Sequence, residues 1–242
     1  MLALSVLSPV SAQVGGEPLH LSFPEKPPLY FGNGSGVARG TLIEPLRQRG
    51  PAAGLRLSFE QRPPKRILAE IEANQSAMCS LGWFKNAERE RFAKFSRPLY
   101  RDRGMLVVSA LPVSTYAGVS SLSQLLARGA WRLGAVSGIS YGAEIDAILS
   151  AHPTMLERPT VTSEQLLRMV VSGRMPLALV TEEELNWFLK HEAGDTRLAR
   201  LPLSDLPRQG SQRYIMCSLK TPDALLKRID AMIGDGLVPG QN

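Results

Sequence analysis

The 242-residue sequence predicts an α/β fold in two lobes, each a mostly parallel sheet flanked by helices, joined by a two-segment hinge. Three observations carry this expectation. Short apolar runs alternate with helical patterns almost from end to end, the signature of βαβ units. The alternation is interrupted twice, at "FSRPLYRDRG" and at "LPLSDLPRQGSQRY". The length also allows two units of about 100 to 120 residues, each able to bury a core. A chain that leaves one unit near residue 100 and returns near 210 makes the first discontinuous, residues 13–100 with 212–242, and the second continuous, residues 101–211. Ligands of such sheets bind outside the carboxyl ends of strands, so a cleft between the units is the expected site.

The elements follow in order. "MLALSVLSPVSAQ" reads as the apolar and cleavage regions of a secretory signal over residues 1–12, with small residues Ser11 and Ala12 at the cut. It lacks a positive n-region, so the signal is expected to start upstream of Met1. Strands are predicted at Leu19 to Phe23, Leu55 to Phe59, Ser76 to Leu81, Met105 to Ser109, Trp131 to Val136, Leu177 to Thr181 and Tyr214 to Ser218. Thr162 with Gln165 and Thr181 with Glu184 form capping boxes before "LLRMVV" and "LNWFLKH". Gly173 closes the first of these helices. Thr221-Pro222 opens the last helix, whose Leu225, Leu226, Ile229, Met232 and Ile233 form one apolar stripe. No later apolar run reaches the length of a membrane span.

Composition narrows the function. The net charge is +6 and the pI about 9.6, but the 28 basic residues are interleaved with 22 acids along the chain. No basic tract or aromatic and basic motif suggests nucleic-acid binding. The scattered His20, His152 and His191 and the two cysteines fit no familiar metal spacing, so no metal or cofactor is expected. Cys79 and Cys217 each lie in an apolar run. In an oxidising compartment they can form one disulfide, and otherwise they are small buried hydrophobes.

Three motifs bear on chemistry. "GNGSGVARG", residues 32–40, matches neither phosphate-loop pattern in register and reads as a turn before a helix around Leu42 to Leu46. "GISYG", residues 138–142, matches a nucleophile elbow between a strand and a helix, which raises a serine hydrolase using Ser140. His152 follows too closely to complete a triad, and the favoured alternative has Ser140 capping a helix whose end accepts an anion. In "NAERERFAKF", Asn86 is a helix N-cap, Phe92 and Phe95 face the core, and Pro98 ends the helix. Arg89 then lies in the first turn after a strand's carboxyl end, where it can hold a carboxylate in the cleft or pair with Glu88 or Glu90 on the surface.

The segment "PPKRILAEIEANQSAMCSLGWFKNAERERFAKFSRPLYRDRGMLVVS" resembles the strand, arginine and first hinge crossing of family 3 periplasmic solute-binding proteins, the polar amino-acid binders of ABC importers. "SLSQLLARGAWRLGAVSGISYGAEIDAIL" and "SEQLLRMVVSGRMPLALVTEEELNWFL" resemble two further units of that family, and "YIMCSLKTPDALLKRIDAMI" its return strand and last helix. The resemblance implies an exported, soluble solute binder of the periplasm that works as a monomer and closes its lobes on a small carboxylate-bearing solute. Its partner would be an ABC permease or, alternatively, a membrane sensor. It places Arg89 on the carboxylate-binding arginine and Ser140 on the hydroxyl that helps hold the same group. Departures are as informative. Asn86 stands for the family's threonine, and "GWF", Gly82 to Phe84, replaces small hydroxyl residues. Thr181, with Glu182 beside it, stands for the aspartate that holds an ammonium, and the early aspartate falls near Phe23 or Glu25. An aromatic-lined pocket for another carboxylate follows, in which Tyr30, Trp83 and Phe84 read equally as pocket wall and as core or hinge packing.

Overall fold

The computed structural model describes residues 16–32, 36–192 and 196–237. The expected signal segment lies outside them. In chain order the elements begin with β1 (Glu17–Phe23), β2 (Phe31–Gly32), β3 (Ala38–Arg39), α1 (Ile43–Arg49), β4 (Leu55–Gln61), α2 (Pro64–Ala73) and β5 (Cys79–Phe84). Then come α3 (Ala87–Glu90), β6 (Ala93–Phe95), β7 (Tyr100–Arg103), β8 (Met105–Ser109), α4 (Leu122–Ala127), β9 (Leu133–Gly134) and α5 (Ala143–Ala151). The remainder is β10 (Leu156–Glu157), α6 (Ser163–Val171), β11 (Leu177–Thr181), α7 (Glu182–His191), β12 (Ala199–Arg200), β13 (Gln209–Ser218) and α8 (Asp223–Ile233).

Two larger sheets organise these elements. The first has the order β4-β1-β5-β13-β6, with β7 also paired to β13, and the second the order β10-β9-β11-β8-β12. Each is built on parallel pairs, β4 and β5 flanking β1 in one, β10 and β11 flanking β9 in the other. The antiparallel pairs come from the strands next to the crossings, β13 and β8, because a chain passing between sheets enters them in the opposite sense. The first sheet draws on both ends of the described chain and the second on its middle, so the fold is α/β with two lobes.

Helices cover both faces of each sheet. On the first, α1 and α8 bury Ile43, Leu46, Ile229 and Ile233 against one face, while Ile67 and Ile71 of α2 pack with Trp83 and Met216 on the other. On the second, Leu122, Leu125 and Leu149 of α4 and α5 oppose Leu166, Val170 and Phe188 of α6 and α7. Burying such a side chain contributes about 1.5–3 kcal/mol, which is why the apolar stripes of the sequence settle these faces. Both expected capping boxes form, at Thr162 and at Thr181. Cys79 and Cys217 are disulfide-bonded across neighbouring strands β5 and β13.

Four expectations need correction. The helix expected through "NAERERFAKF" stops at Glu90, and Ala93–Phe95 is a strand paired with Met216 to Ser218. Unpaired backbone groups on the β13 edge outcompete a helical pattern only ten residues long. Phe92 and Phe95 still pack on the core, but Pro98 follows a strand. The strand expected at residues 76–81 lies at Cys79–Phe84, and that expected at residues 131–136 is reduced to Leu133–Gly134. Ser140 is not the cap of α5, whose N-cap is Gly142.

Candidate functional site

A cavity of about 470 Å³ lies between the two sheets, and residues of both lobes line it. Its floor is the carboxyl end of β5, a strand buried along its whole length. Gly82 makes that end possible. Its φ is +88°, and a Cβ there would lie 2.1 Å from the Tyr30 hydroxyl, a position only glycine can hold. The Gly82 carbonyl consequently accepts hydrogen bonds from Arg213 Nη1 at 2.6 Å and from Tyr30 Oη at 3.3 Å.

Past Gly82 the chain sets Trp83, Phe84 and then Arg89. Asn86 Oδ1 accepts the Arg89 backbone N–H at 2.9 Å, starting the short helix that turns Arg89 back over the strand end. The Arg89 guanidinium stacks 5.0 Å above the Trp83 ring and donates through Nη1 to the Phe84 carbonyl at 2.9 Å. It is only 8% exposed, yet among the described residues no carboxylate forms an ion pair with it. Burial lowers its pKa, with the fields of Asp146 and Glu88 acting against that shift. A guanidinium has five donors and no acceptor, so its remaining N–H groups call for an anion.

The other buried cations of the cavity are already neutralised. Arg213, on β13, grips Asp102 of β7 with two hydrogen bonds of 2.5 Å, and its guanidinium lies 4.4 Å from the centre of the Phe84 ring. These are the two strands that run beside the crossings between lobes. Lys26, in the loop after β1, forms a 2.5 Å ion pair with Glu184 of α7, a contact from one lobe to the other. Glu184 also accepts from Ser163 Oγ at 2.6 Å, from Thr181 N at 2.8 Å and from Thr181 Oγ1 at 2.9 Å. Burial would raise the Glu184 pKa, but the Lys26 charge and these donors outweigh it and hold it down to about 2.

On the opposite wall, Ser140 donates to the Asp146 carboxylate, which also accepts the Tyr141 N–H at 2.9 Å. The helix end expected to accept an external anion thus holds a carboxylate of its own helix. Tyr141 is buried, and its hydroxyl accepts the Val136 N–H at 2.7 Å. Val136, Ile139 and Val161 give this wall an apolar surface.

Of the residues singled out in the sequence, Arg89, Ser140, Tyr30, Trp83, Phe84 and Glu25 line the cavity. Phe23, Asn86, Thr181 and Glu182 stand outside its lining. Phe23 is 1% exposed and packs edge-on against Tyr30 in the core. The Asn86 and Thr181 side chains are spent on capping, and Glu182 turns away toward Arg200, 3.9 Å off. Lys26, Glu184, Arg213 and Asp102 were not singled out as site residues. Glu184 had a signal, its place three residues after Thr181, but the capping role hid the second one. No histidine is among the described residues lining the cavity, so Ser140 has no imidazole base there and the triad of a serine hydrolase is not assembled.

No family model matches the chain, and no curated protein matches its sequence. Solved structures do. A Salmonella typhimurium periplasmic binding protein with high arginine specificity superposes with a TM-score of 0.67 at 16% identity, covering 90% of this chain and 92% of that one. A substrate-binding protein of an ABC uptake transporter from Streptococcus pneumoniae, solved with bound histidine, gives 0.65 at 18% identity over 89% and 85%. The fold is that of the two-lobe periplasmic amino-acid-binding proteins. The same two-lobe fold is shared by the GluR0 ligand-binding core from Nostoc punctiforme in complex with L-glutamate, at a TM-score of 0.67 and 16% identity over 89% and 91%. Among the described residues no helix is long and apolar enough to cross a membrane, and no group of histidine, cysteine or acidic residues could hold a metal ion.

Proposed function

We propose that the protein is an exported solute-binding protein that captures a small carboxylate-bearing solute in the cavity between its lobes, for delivery to an ABC permease. The observation that carries this reading is Arg89, a nearly buried guanidinium facing the cavity with no protein counter-ion among the described residues. Burying an uncompensated charge is costly, and an incoming carboxylate relieves that cost through charge-assisted hydrogen bonds. Ser140 and Tyr141 face it from the second lobe, so closure of residues 101–211 onto residues 13–100 and 212–242 would complete the site. The fold likeness to amino-acid binders of ABC importers supports the transport role, and the Cys79–Cys217 disulfide suits an oxidising compartment outside the cytoplasm.

The test is a thermal-shift screen of amino acids and small organic acids, followed by calorimetry. A solute at 100 times its Kd adds about 2.7 kcal/mol to stability. Arg89→Ala is expected to weaken binding at least about tenfold while leaving the circular dichroism spectrum unchanged, since truncating one partner of a desolvated charged pair costs about 2–5 kcal/mol. A variant that binds as tightly as the parent would refute the role of Arg89.

A further inference from the structure

We infer that the solute is a monoanionic carboxylate with no ammonium group beside its carboxylate, because Lys26 already pairs with Glu184 and Asp146 already serves Ser140 and Tyr141. This deepens the reading of the cavity as a carboxylate site and rests on it. Of the four cations lining the cavity, three have carboxylate partners. Lys26 balances Glu184, and Arg213 balances Asp102. Arg62, partly exposed at the edge, lies between Glu60 and Glu70. Of these cations Arg89 alone has no ion-pair partner among the described residues, and a single carboxylate would supply one.

An α-amino acid brings a second charge. Its ammonium sits two bonds from the carboxylate carbon and needs acceptors close to wherever Arg89 holds that group. The two oxygens of Glu184 already accept four donors: Lys26, Ser163 and both the N–H and the hydroxyl of Thr181. The carbonyl of Phe84 accepts Arg89, and that of Gly82 accepts Arg213 and Tyr30. Of the two acids whose fields reach Arg89, Asp146 takes the Ser140 hydroxyl and the Tyr141 N–H, and Glu88 is exposed to water. The other acid in the cavity lining is Glu25, half-buried, which accepts the Gln61 amide at 2.7 Å and whose pKa burial raises. An ammonium beside a carboxylate held by Arg89 would therefore meet the charges of Lys26, Arg89 and Arg213 while both oxygens of Asp146 are already engaged, a costly arrangement in a desolvated site. The rest of the wall, Trp83, Phe84, Met105, Val136, Ile139 and Val161, suits an apolar or aromatic body.

The test compares matched pairs by calorimetry on the wild-type protein: 3-phenylpropionate against L-phenylalanine, and 4-methylpentanoate against L-leucine. Each pair differs only by the ammonium. The deamino acid is expected to bind at least about tenfold more tightly, since a site that leaves a charged group unpaired rejects it strongly. In Lys26→Met, Glu184 loses its internal cation, and the preference is expected to shift toward the amino acid of each pair by a similar factor. If the wild-type protein binds the amino acids as tightly as the deamino acids, this inference is overturned while the carboxylate site stands. If Lys26→Met folds and keeps the wild-type preference, the inference is overturned as well. If no member of either pair binds, the carboxylate reading itself fails, and the inference with it. The wild-type comparison decides the matter even if Lys26→Met does not fold.

Discussion

Removing the Arg213 side chain is expected to cost the protein more stability than any other single change at the cavity. Arg213 and Asp102 are 5% and 3% exposed, and two hydrogen bonds of 2.5 Å join them. Arg213→Met keeps most of the apolar volume but leaves the Asp102 carboxylate buried with no counter-charge, for which about 3–5 kcal/mol is typical. The Gly82 carbonyl loses its 2.6 Å donor as well, adding about 1 kcal/mol. Changing both partners, Arg213→Met with Asp102→Leu, removes the stranded charge, and the double variant is expected to lie close to the parent, within about 1–2 kcal/mol. Urea unfolding of the four proteins, followed by circular dichroism at pH 7, gives the coupling energy directly. A single variant that loses less than about 1 kcal/mol, or a double variant as unstable as the sum of the two singles, would refute the idea that this pair is a buried, mutually dependent unit.

The remaining expectations concern other parts of the same frame. The Glu184 pKa falls from 4.5 to about 2 on folding. The stability it contributes is therefore complete above about pH 4.5 and lost as the pH drops toward 2, a change of about 3 kcal/mol that urea titrations across this window should show and Glu184→Gln should abolish. Reducing the Cys79–Cys217 disulfide, whose cysteines are 138 residues apart, is expected to destabilise the fold by about 5 kcal/mol on loop entropy, read as a lower urea midpoint in reductant. Gly82→Ala meets both a positive φ and the Tyr30 hydroxyl, so a loss of at least about 2 kcal/mol in the same assay is expected. Arg89→Leu removes the uncompensated charge that disfavours closure, and the ligand-free variant should show a smaller radius of gyration by X-ray scattering than the ligand-free parent.

Much of this frame was legible in the sequence. The strands at Met105–Ser109 and Leu177–Thr181 lie where the apolar runs put them, and both capping boxes form as their residue spacing requires. These are local features, set by side chains within a few residues of one another. What the sequence hid was decided between distant segments. Ala93–Phe95 reads as helix because the strand that recruits it, β13, lies more than 100 residues later. Arg213 reads as part of a polar linker because β13 begins at Gln209, earlier than its apolar residues suggest. A signal was present even so, since Arg213, Ile215 and Cys217 alternate along the strand and all are buried. Lys26, between Glu25 and two prolines, reads as a surface residue of a turn. Only the second lobe supplies the carboxylate that buries it.

The three buried cations of the cavity differ in where their counter-charges come from, and that difference would order the events of the proposed closure. Arg213 takes its partner from the strand beside the crossing, so this pair persists whether the lobes are open or closed. Lys26 takes its partner from the opposite lobe, so its ion pair exists only when the lobes meet. Arg89 has none among the described residues, and closing over it without a solute strands a charge away from water. The Lys26–Glu184 contact favours closure and the bare Arg89 opposes it. On the proposed function, a bound carboxylate would remove the opposing contribution alone, and a ligand shifts a two-state equilibrium only by such a difference in affinity between the states.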